Sequence, residues 1–90
     1  MDITELREQI DQIDHDLVEL YRRRMETARA IGRYKREHHL PVMDSEREKI
    51  LLNKVAEQAG KEYKEGILAL YRLLLEQSRM RQELDGLSEN

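Results

Sequence analysis

The sequence contains no cysteine, phenylalanine or tryptophan, and it has one proline and four glycines among 90 residues. Without cysteine, the chain can form neither disulfides nor thiolate metal sites. The adjacent His38 and His39 would point in different directions on a helix, so they do not suggest a metal-binding pair. We therefore expect no metal site.

Long apolar runs and a basic surplus are also missing. No window approaches the roughly 20 apolar residues of a membrane span, and residues 1–5 lack the basic and apolar regions of a signal peptide. We therefore expect a cytoplasmic protein with no membrane partner. The net charge of −3 argues against nucleic acid as the main partner, because a phosphate-binding face normally shows as a basic surplus.

Charged residues and hydrophobic residues each make up 39% of the chain. This balance favours helices with solvated outer faces, and the apolar residues fall at helical spacing, which indicates an ordered all-α protein. We interpret residues 1–90 as a single domain. A chain this short buries a limited share of its surface, so oligomerisation is a common remedy.

The longest pattern predicts a helix over residues 3 to about 38. Its apolar residues recur at alternating steps of three and four, which is typical of a helix that packs on other helices. This seam consists of Ile3, Leu6, Ile10, Ile13, Leu17 and Leu20. It continues as Arg24, Thr27, Ile31 and Tyr34, and a row beside it contains Arg7 and Lys35. Three cations therefore lie on or beside the face that should be buried.

The rise of the helix decides how these cations can act. Arg24 and Lys35 lie about 16 Å apart on nearly the same face, so both can reach one small ligand. Arg7 lies about 42 Å from Lys35 and cannot share that ligand within one chain. The helix itself would be about 54 Å long, whereas a compact chain of this size has a radius of gyration of only ~12 Å. We therefore expect a two-fold homodimer in which each long helix covers its partner and contributes Arg7 to the partner's site.

This first helix has one informative glycine, and a proline follows it. It has no glycine before Gly32, where the missing side chain would permit close approach of another helix or a ligand. Pro41 disfavours helical geometry at the residue before it. The helix is therefore expected to end within residues 38–41.

The second helix is predicted to begin within residues 44–48 and to run to about Gln58. Its inward residues are Ile50, Leu51, Val55 and Ala59. Gly60 is a plausible C-terminal stop. Ser45 followed by Glu48 fits a capping box, and the local pattern favours this structural role for Glu48.

The third helix is predicted from about Lys64 to Leu84, before a frayed tail over residues 85–90. Its inward row consists of Ile67, Leu70, Tyr71, Leu74, Ser78 and Gln82. Each polar residue on an inward face has a structural explanation by itself, such as a hydrogen bond between helices. Together, the cations, acids and amide would converge where the helices pack. Because uncompensated buried charge is costly, their surplus of cations suggests an anionic ligand.

The order and spacing of several segments resemble the all-helical chorismate mutases over residues 6 to 82. These segments are Leu6-Arg7-Glu8-Gln9-Ile10-Asp11 with Ile13-Asp14, Arg24, Gly32-Arg33-Tyr34-Lys35, Pro41-Val42-Met43-Asp44-Ser45-Glu46-Arg47-Glu48 and Glu76-Gln77-Ser78-Arg79-Met80-Arg81-Gln82. Their joint order makes the match specific. One departure is that residues 61–66 lack an acidic cap before the third helix, which leaves the start of that helix less well defined.

The resemblance implies an intertwined homodimer of three-helix protomers. Such a dimer would convert chorismate to prephenate in phenylalanine and tyrosine biosynthesis. This intramolecular Claisen rearrangement is concerted, so no cofactor is expected. By the same resemblance, Arg24 and the partner's Arg7 would bind the two substrate carboxylates. Lys35 and Gln82 would contact the ether oxygen.

The resemblance also assigns roles to four further residues. Glu48 would bind the ring hydroxyl of the substrate while also capping its helix. Asp44 and Ser78 would add polar contacts, and Arg47 would help to orient the acids.

Two alternative functions remain open. An isochorismate pyruvate-lyase of the same fold shares the arginines and the lysine, but the lyases have an apolar residue where Glu48 stands. A non-catalytic helical dimerisation or regulatory domain is the other alternative, although a scaffold has no need of Lys35 and Gln82 facing each other. The complete set of residues favours the mutase.

Overall fold

The chain consists of three α-helices. The computed structural model describes residues 1–88, with side chains as far as Leu84, and contains no strand within that range. The helices are α1 (Ile3–Glu37), α2 (Ser45–Ala59) and α3 (Lys64–Ser88). The predicted all-α, three-helix architecture is confirmed. No helix in the described part of the chain is long and apolar enough to cross a membrane.

The ends of α1 follow from local hydrogen bonding. At its start, the Asp2 side chain accepts a hydrogen bond of 2.9 Å from the backbone N–H of Glu5. At its end, His39 adopts a left-handed backbone conformation with φ of 56°. This reversal lets the N–H of Leu40 donate to the carbonyl of Lys35 at 2.7 Å, so a carbonyl of the last turn is satisfied. The helix ends at Glu37 with His38 as its C-cap, close to the predicted end at about His38.

The start of α2 differs from the predicted capping box. The N-cap is Asp44, whose Oδ1 accepts from the N–H of Arg47 at 3.1 Å. Ser45 is already the first helical residue, so the interpretation of Ser45 and Glu48 as a capping box is wrong. The Glu48 side chain instead pairs with Arg79 on α3. Gly60 ends the helix with φ of 81°, as predicted.

The end of α3 also differs from the prediction. The helix was expected to stop at Leu84 and to be followed by a frayed tail, but it continues through residues 85–88. Residues 89–90 of that tail lie outside the described part of the chain. The predicted start at Lys64 is confirmed, and the N–H of Ile67 donates to the carbonyl of Tyr63 at 3.0 Å.

The helix α3 packs against both α1 and α2, which do not pack directly on each other. The buried apolar side chains are Met25, Ala28, Val55 and Leu75. On α1 the buried row is Met25, Ala28 and Gly32 rather than the continued seam, whose Ile31 and Tyr34 are 45% and 57% exposed. A straight helix drifts about 20° per heptad away from a strict seven-residue repeat, so the buried face moves around the helix.

The predicted inward position of one residue of α2 is also wrong. Ile50 is 59% exposed, whereas Val55 is buried and Leu51 is half-buried. The row that faces α3 includes Glu48, Leu51 and Val55, and Ile50 falls outside this spacing of three and four residues. On α3, the predicted change from apolar to polar residues is confirmed, because Ser78 and Gln82 are buried at 6% and 8% exposure.

The first half of α1 extends away from the other helices. The molecule measures 54 × 28 × 14 Å, and its radius of gyration is 16.4 Å, well above the ~12 Å of a compact chain of this length. The large apolar residues of the seam between Ile3 and Leu20 are 47–58% exposed. The long helix therefore extends beyond a compact globule, as its predicted length of about 54 Å indicated.

Gly32 lies at the closest approach of α1 and α3. A Cβ atom at this position would lie 2.7 Å from Gln82 Cα and 2.9 Å from Gln82 O. Real Cβ atoms do not approach backbone atoms so closely. The glycine therefore permits a helix crossing that no other residue allows, as its position in the sequence predicted.

We expect Gly32→Ala to destabilise the protein, although alanine favours a helix by about 1 kcal/mol over glycine. The added methyl must push the α3 backbone away, and such overpacking typically costs about 1–3 kcal/mol. Thermal unfolding should therefore occur several degrees lower. Gly66→Ala is the matched control, because a Cβ there meets nothing within 4 Å. A Gly32→Ala protein that gains stability as Gly66→Ala does would contradict the tight crossing.

Candidate active site

Seven of the eight predicted site residues line one cleft of about 390 Å³. The cleft lies between the second half of α1, the link and first turn of α2, and the second half of α3. Its predicted members are Arg24, Lys35, Asp44, Arg47, Glu48, Ser78 and Gln82. The eighth residue, Arg7, is exposed in the first half of α1 and does not line this cleft.

Lys35 joins the three elements that form the cleft. Its Nζ donates to the backbone carbonyl of Val42 at 2.7 Å and to Gln82 Oε1 at 3.1 Å. These bonds use two of the three ammonium hydrogens. Because the Gln82 oxygen accepts from Lys35, the amide presents its N–H₂ group as the remaining donor. The two side chains therefore offer unused donors next to each other.

Arg24 is fixed on two sides. Its guanidinium donates to Ser78 Oγ, and its Cζ lies 5.7 Å from the centroid of the Tyr71 ring, within range of a cation–π interaction. Ser78 in turn donates its hydroxyl proton to the Leu74 carbonyl at 2.7 Å. The hydroxyl is therefore a support for Arg24, and its geometry is not that of an activated nucleophile.

Glu48 forms an ion pair that the sequence interpretation missed. Arg79 Nη1 lies 2.7 Å from both Glu48 Oε1 and Oε2, and Arg79 lines the cleft. The only indication in the sequence was the spacing of Arg79, which lies seven residues after Arg72 and four after Leu75. This spacing places it on the side of α3 that faces α2. Spacing alone did not show which residue of α2 it would meet.

Two predicted residues sit at the mouth of the cleft. Asp44 and Arg47 are both exposed. Asp44 uses Oδ1 to cap α2 through the N–H of Arg47. The Asp44 carboxylate is thus held at the start of α2 by this hydrogen bond.

The charge of the cleft is unbalanced. Its lining contains four cations, Arg24, Lys35, Arg47 and Arg79, and two carboxylates, Asp44 and Glu48. The remaining wall includes apolar side chains such as Ile31, Leu51 and Leu75. Such a cleft suits a small ligand with an apolar body and two negative charges. Among the described side chains, no group of three histidine, cysteine, aspartate or glutamate residues could hold a metal ion.

A larger hollow of about 540 Å³ lies between α2 and the start of α3. None of the predicted site residues lines it, and its charged side chains, which include Lys61 and Arg72, are all exposed. Exposed cations of this kind are typical of a solvated surface. The smaller cleft, where buried polar groups converge, is therefore the candidate site.

Comparison with known proteins finds a similar solved structure and a similar bacterial protein. A solved structure of a conserved hypothetical protein from Pyrococcus furiosus matches with a TM-score of 0.74 and 34% identity, covering 89% of this chain and 93% of that one. The T-protein of Haemophilus influenzae is 36% identical over 61 residues, which represent 64% of this chain. The chain spans only 16% of the length of that relative.

A family model also matches this chain. The model of the chorismate mutase type II family matches residues 6–83, a range that includes Arg7 and every predicted residue of the cleft. The match extends over most of the chain, and the observed three-helix fold agrees with it. The chain belongs to the chorismate mutase type II family.

Proposed function

We propose that this chain converts chorismate to prephenate, as a step of phenylalanine and tyrosine biosynthesis, and that its domain spans residues 1–90. The observation that carries this proposal is the convergence of Arg24, Lys35, Glu48 and Gln82 in one cleft. The reaction is an intramolecular rearrangement of a dianion. It needs positioning and charge stabilisation, which are the two properties that the cleft offers.

The charge surplus supports a dicarboxylate substrate. Two excess positive charges line the cleft, and chorismate carries two carboxylates. Arg24, held by Ser78 and Tyr71, binds one carboxylate. The partner's Arg7 binds the other. Fixed contacts to both ends hold the enolpyruvyl group folded over the ring, so the reacting carbons meet without a large loss of entropy at the transition state.

Lys35 and Gln82 act on the ether oxygen. As the carbon–oxygen bond breaks, negative charge grows on this oxygen, and donors already fixed in place stabilise it at no further reorganisation cost. The third ammonium hydrogen of Lys35 and the N–H₂ of Gln82 are the donors that remain after their mutual contact. Loss of one such donor typically lowers turnover about 10²–10³-fold.

Glu48 favours the mutase over the alternative lyase. Its carboxylate lines the cleft and is 19% exposed, so it can accept a hydrogen bond from the hydroxyl on the substrate ring. An apolar residue here, as in the lyases, would give no such acceptor.

A homodimer is the proposed active form. The exposed apolar seam of α1 supports an interface with a second copy. The distance along α1 supports the contribution of Arg7 in trans, because Arg7 lies about 42 Å from Lys35 of the same chain.

The activity is tested by following the loss of chorismate absorbance and identifying the product. Prephenate is the expected product. Pyruvate together with a second ring compound would mean that the chain is a lyase. An inactive protein that still forms dimers would favour the non-catalytic role.

The shared site is tested by mixing Arg7→Ala and Lys35→Ala proteins, each nearly inactive alone. Each mixed dimer has one site with both residues intact. Random exchange should therefore restore about a quarter of the wild-type turnover per chain, because half of the dimers are mixed and each has one working site. Recovery is measured after exchange has been followed by mass spectrometry.

The control mixes Lys35→Ala with Gln82→Ala. Both residues belong to the same chain's site, so neither site of this mixed dimer is repaired and no recovery is expected. Equal recovery in both mixtures, or none in the first despite complete exchange, would contradict the contribution of Arg7 in trans. A fully active monomer in sedimentation would contradict it as well.

The contact of Gln82 with the ether oxygen is tested by Gln82→Glu. At pH 7.5 the new carboxylate can only accept, and its charge opposes that of the ether oxygen, so most activity should be lost. On acidification the carboxyl gains a proton that it can donate, so part of the activity should return. Lys35, 3.1 Å away in the parent, favours the ionised carboxylate and lowers the pKa of the new group, so recovery moves to lower pH.

Gln77→Glu is the matched control. Gln77 accepts a hydrogen bond from the Tyr21 hydroxyl outside the cleft, and a carboxylate can replace it as acceptor, so its pH profile should follow the parent's. Turnover against pH is measured for the three proteins and corrected for unfolding by circular dichroism. If the profile of Gln82→Glu merely parallels that of the parent, Gln82 does not touch the reacting oxygen.

A further inference from the structure

We propose that Arg79 is a positioning residue that determines which ligand group the cleft accepts beside Glu48. It orients the Glu48 carboxylate as an acceptor for a hydroxyl on the substrate ring. This inference rests on the proposed function and adds a residue whose side chain does not itself need to contact the substrate.

The contact between the two side chains is specific in its geometry. One guanidinium nitrogen, Nη1 of Arg79, lies 2.7 Å from each oxygen of Glu48. Both distances are those of strong charge-assisted hydrogen bonds. The side chains of Arg79 and Glu48 are 30% and 19% exposed, so water screens the pair less than it would screen a pair on an open surface. Arg79 therefore limits the rotation of the Glu48 carboxylate.

The Glu48 carboxylate can still accept hydrogen bonds from a ligand while it is paired with Arg79. A carboxylate offers about four lone-pair positions on its two oxygens, and the contact with Arg79 occupies one on each oxygen. At least one position on each oxygen remains to accept a further hydrogen bond. Because an ionised carboxylate cannot donate, the ligand group next to Glu48 must carry a proton. A hydroxyl fits this requirement, whereas an ether oxygen or a second carboxylate is rejected.

Two other roles for Arg79 predict different behaviour. If Arg79 served only to tie α3 to α2, its loss would lower stability and leave the kinetics of the folded protein unchanged. If Arg79 instead bound a substrate carboxylate directly, its loss would lower kcat/KM whether or not Glu48 is charged. Only the positioning role makes the kinetic effect of losing Arg79 depend on the charge of Glu48.

The test is a double-mutant cycle in steady-state kinetics with chorismate. Arg79→Ala should lower kcat/KM about 10–100-fold, the usual effect of losing a hydrogen bond to a charged group. Most of the loss should appear in KM, because the bound substrate already makes the hydroxyl contact. Arg79→Lys should recover a large part of it. In a Glu48→Gln background, Arg79→Ala should cost less than about threefold, because the charge that it positions is gone.

Arg72→Ala is the matched control. Arg72 lies one heptad before Arg79 on α3, is exposed, and lines the other hollow, so its removal should leave the kinetics unchanged. Thermal unfolding of each variant separates a folding defect from a kinetic one. A loss that persists in the Glu48→Gln background, or that only follows reduced stability, would overturn the proposal.

The experiment also separates this proposal from the proposed function. The ¹³C resonance of the Glu48 carboxyl carbon, assigned by its absence in Glu48→Gln, should move in ligand-free Arg79→Ala but not in Arg72→Ala. An unmoved resonance overturns the positioning role whatever the activity. If the resonance moves but the wild-type protein leaves chorismate unchanged, the contact stands and the proposed reaction fails.

Discussion

The close crossing of α1 and α3 at Gly32 is the constraint on which the cleft depends. Because Gly32 has no side chain, α3 can bring the backbone of Gln82 within van der Waals reach of α1. Lys35 lies three residues beyond Gly32, so the same crossing brings its ammonium to the Gln82 amide. A wider crossing would move these two groups apart. A packing requirement between two helices thus fixes the distance between two polar groups.

The polar groups of the cleft are largely satisfied by one another before any ligand binds. Lys35 donates to Val42 and Gln82, Arg24 donates to Ser78, and Glu48 accepts from Arg79. Each of these contacts leaves some hydrogen-bonding capacity unused, and the unused groups are mainly donors. This arrangement limits the cost of holding charges in a half-buried site. It also means that the donors are already oriented when a dianion enters, which is the condition for efficient electrostatic stabilisation of a transition state.

The sequence could predict residues whose position depends on a single helix, but not a contact that depends on how two helices pack. The change from apolar to polar residues along single helices indicated Arg24, Lys35 and Gln82, because helical periodicity places residues on a face without knowledge of the tertiary fold. The pair between Glu48 and Arg79 joins residues 31 positions apart on different helices. Its formation depends on the rotation and axial offset of α2 against α3, which periodicity does not fix. The local pattern around Glu48 therefore gave the wrong partner.

The exposed half of α1 connects the fold to the site. Its seam residues are about half exposed in the single chain, and burying the remaining surface of each would contribute about 1 kcal/mol. Because six such residues form one stripe, exposure of this half of α1 to water is unfavourable compared with packing against another apolar surface. The same segment carries Arg7, an exposed cation far from the cleft of its own chain. In the proposed dimer, the apolar seam supplies the association energy and thereby carries Arg7 to the other chain's dianion. Binding of that dianion should in turn favour the dimer, because the two equilibria are linked through a single side chain.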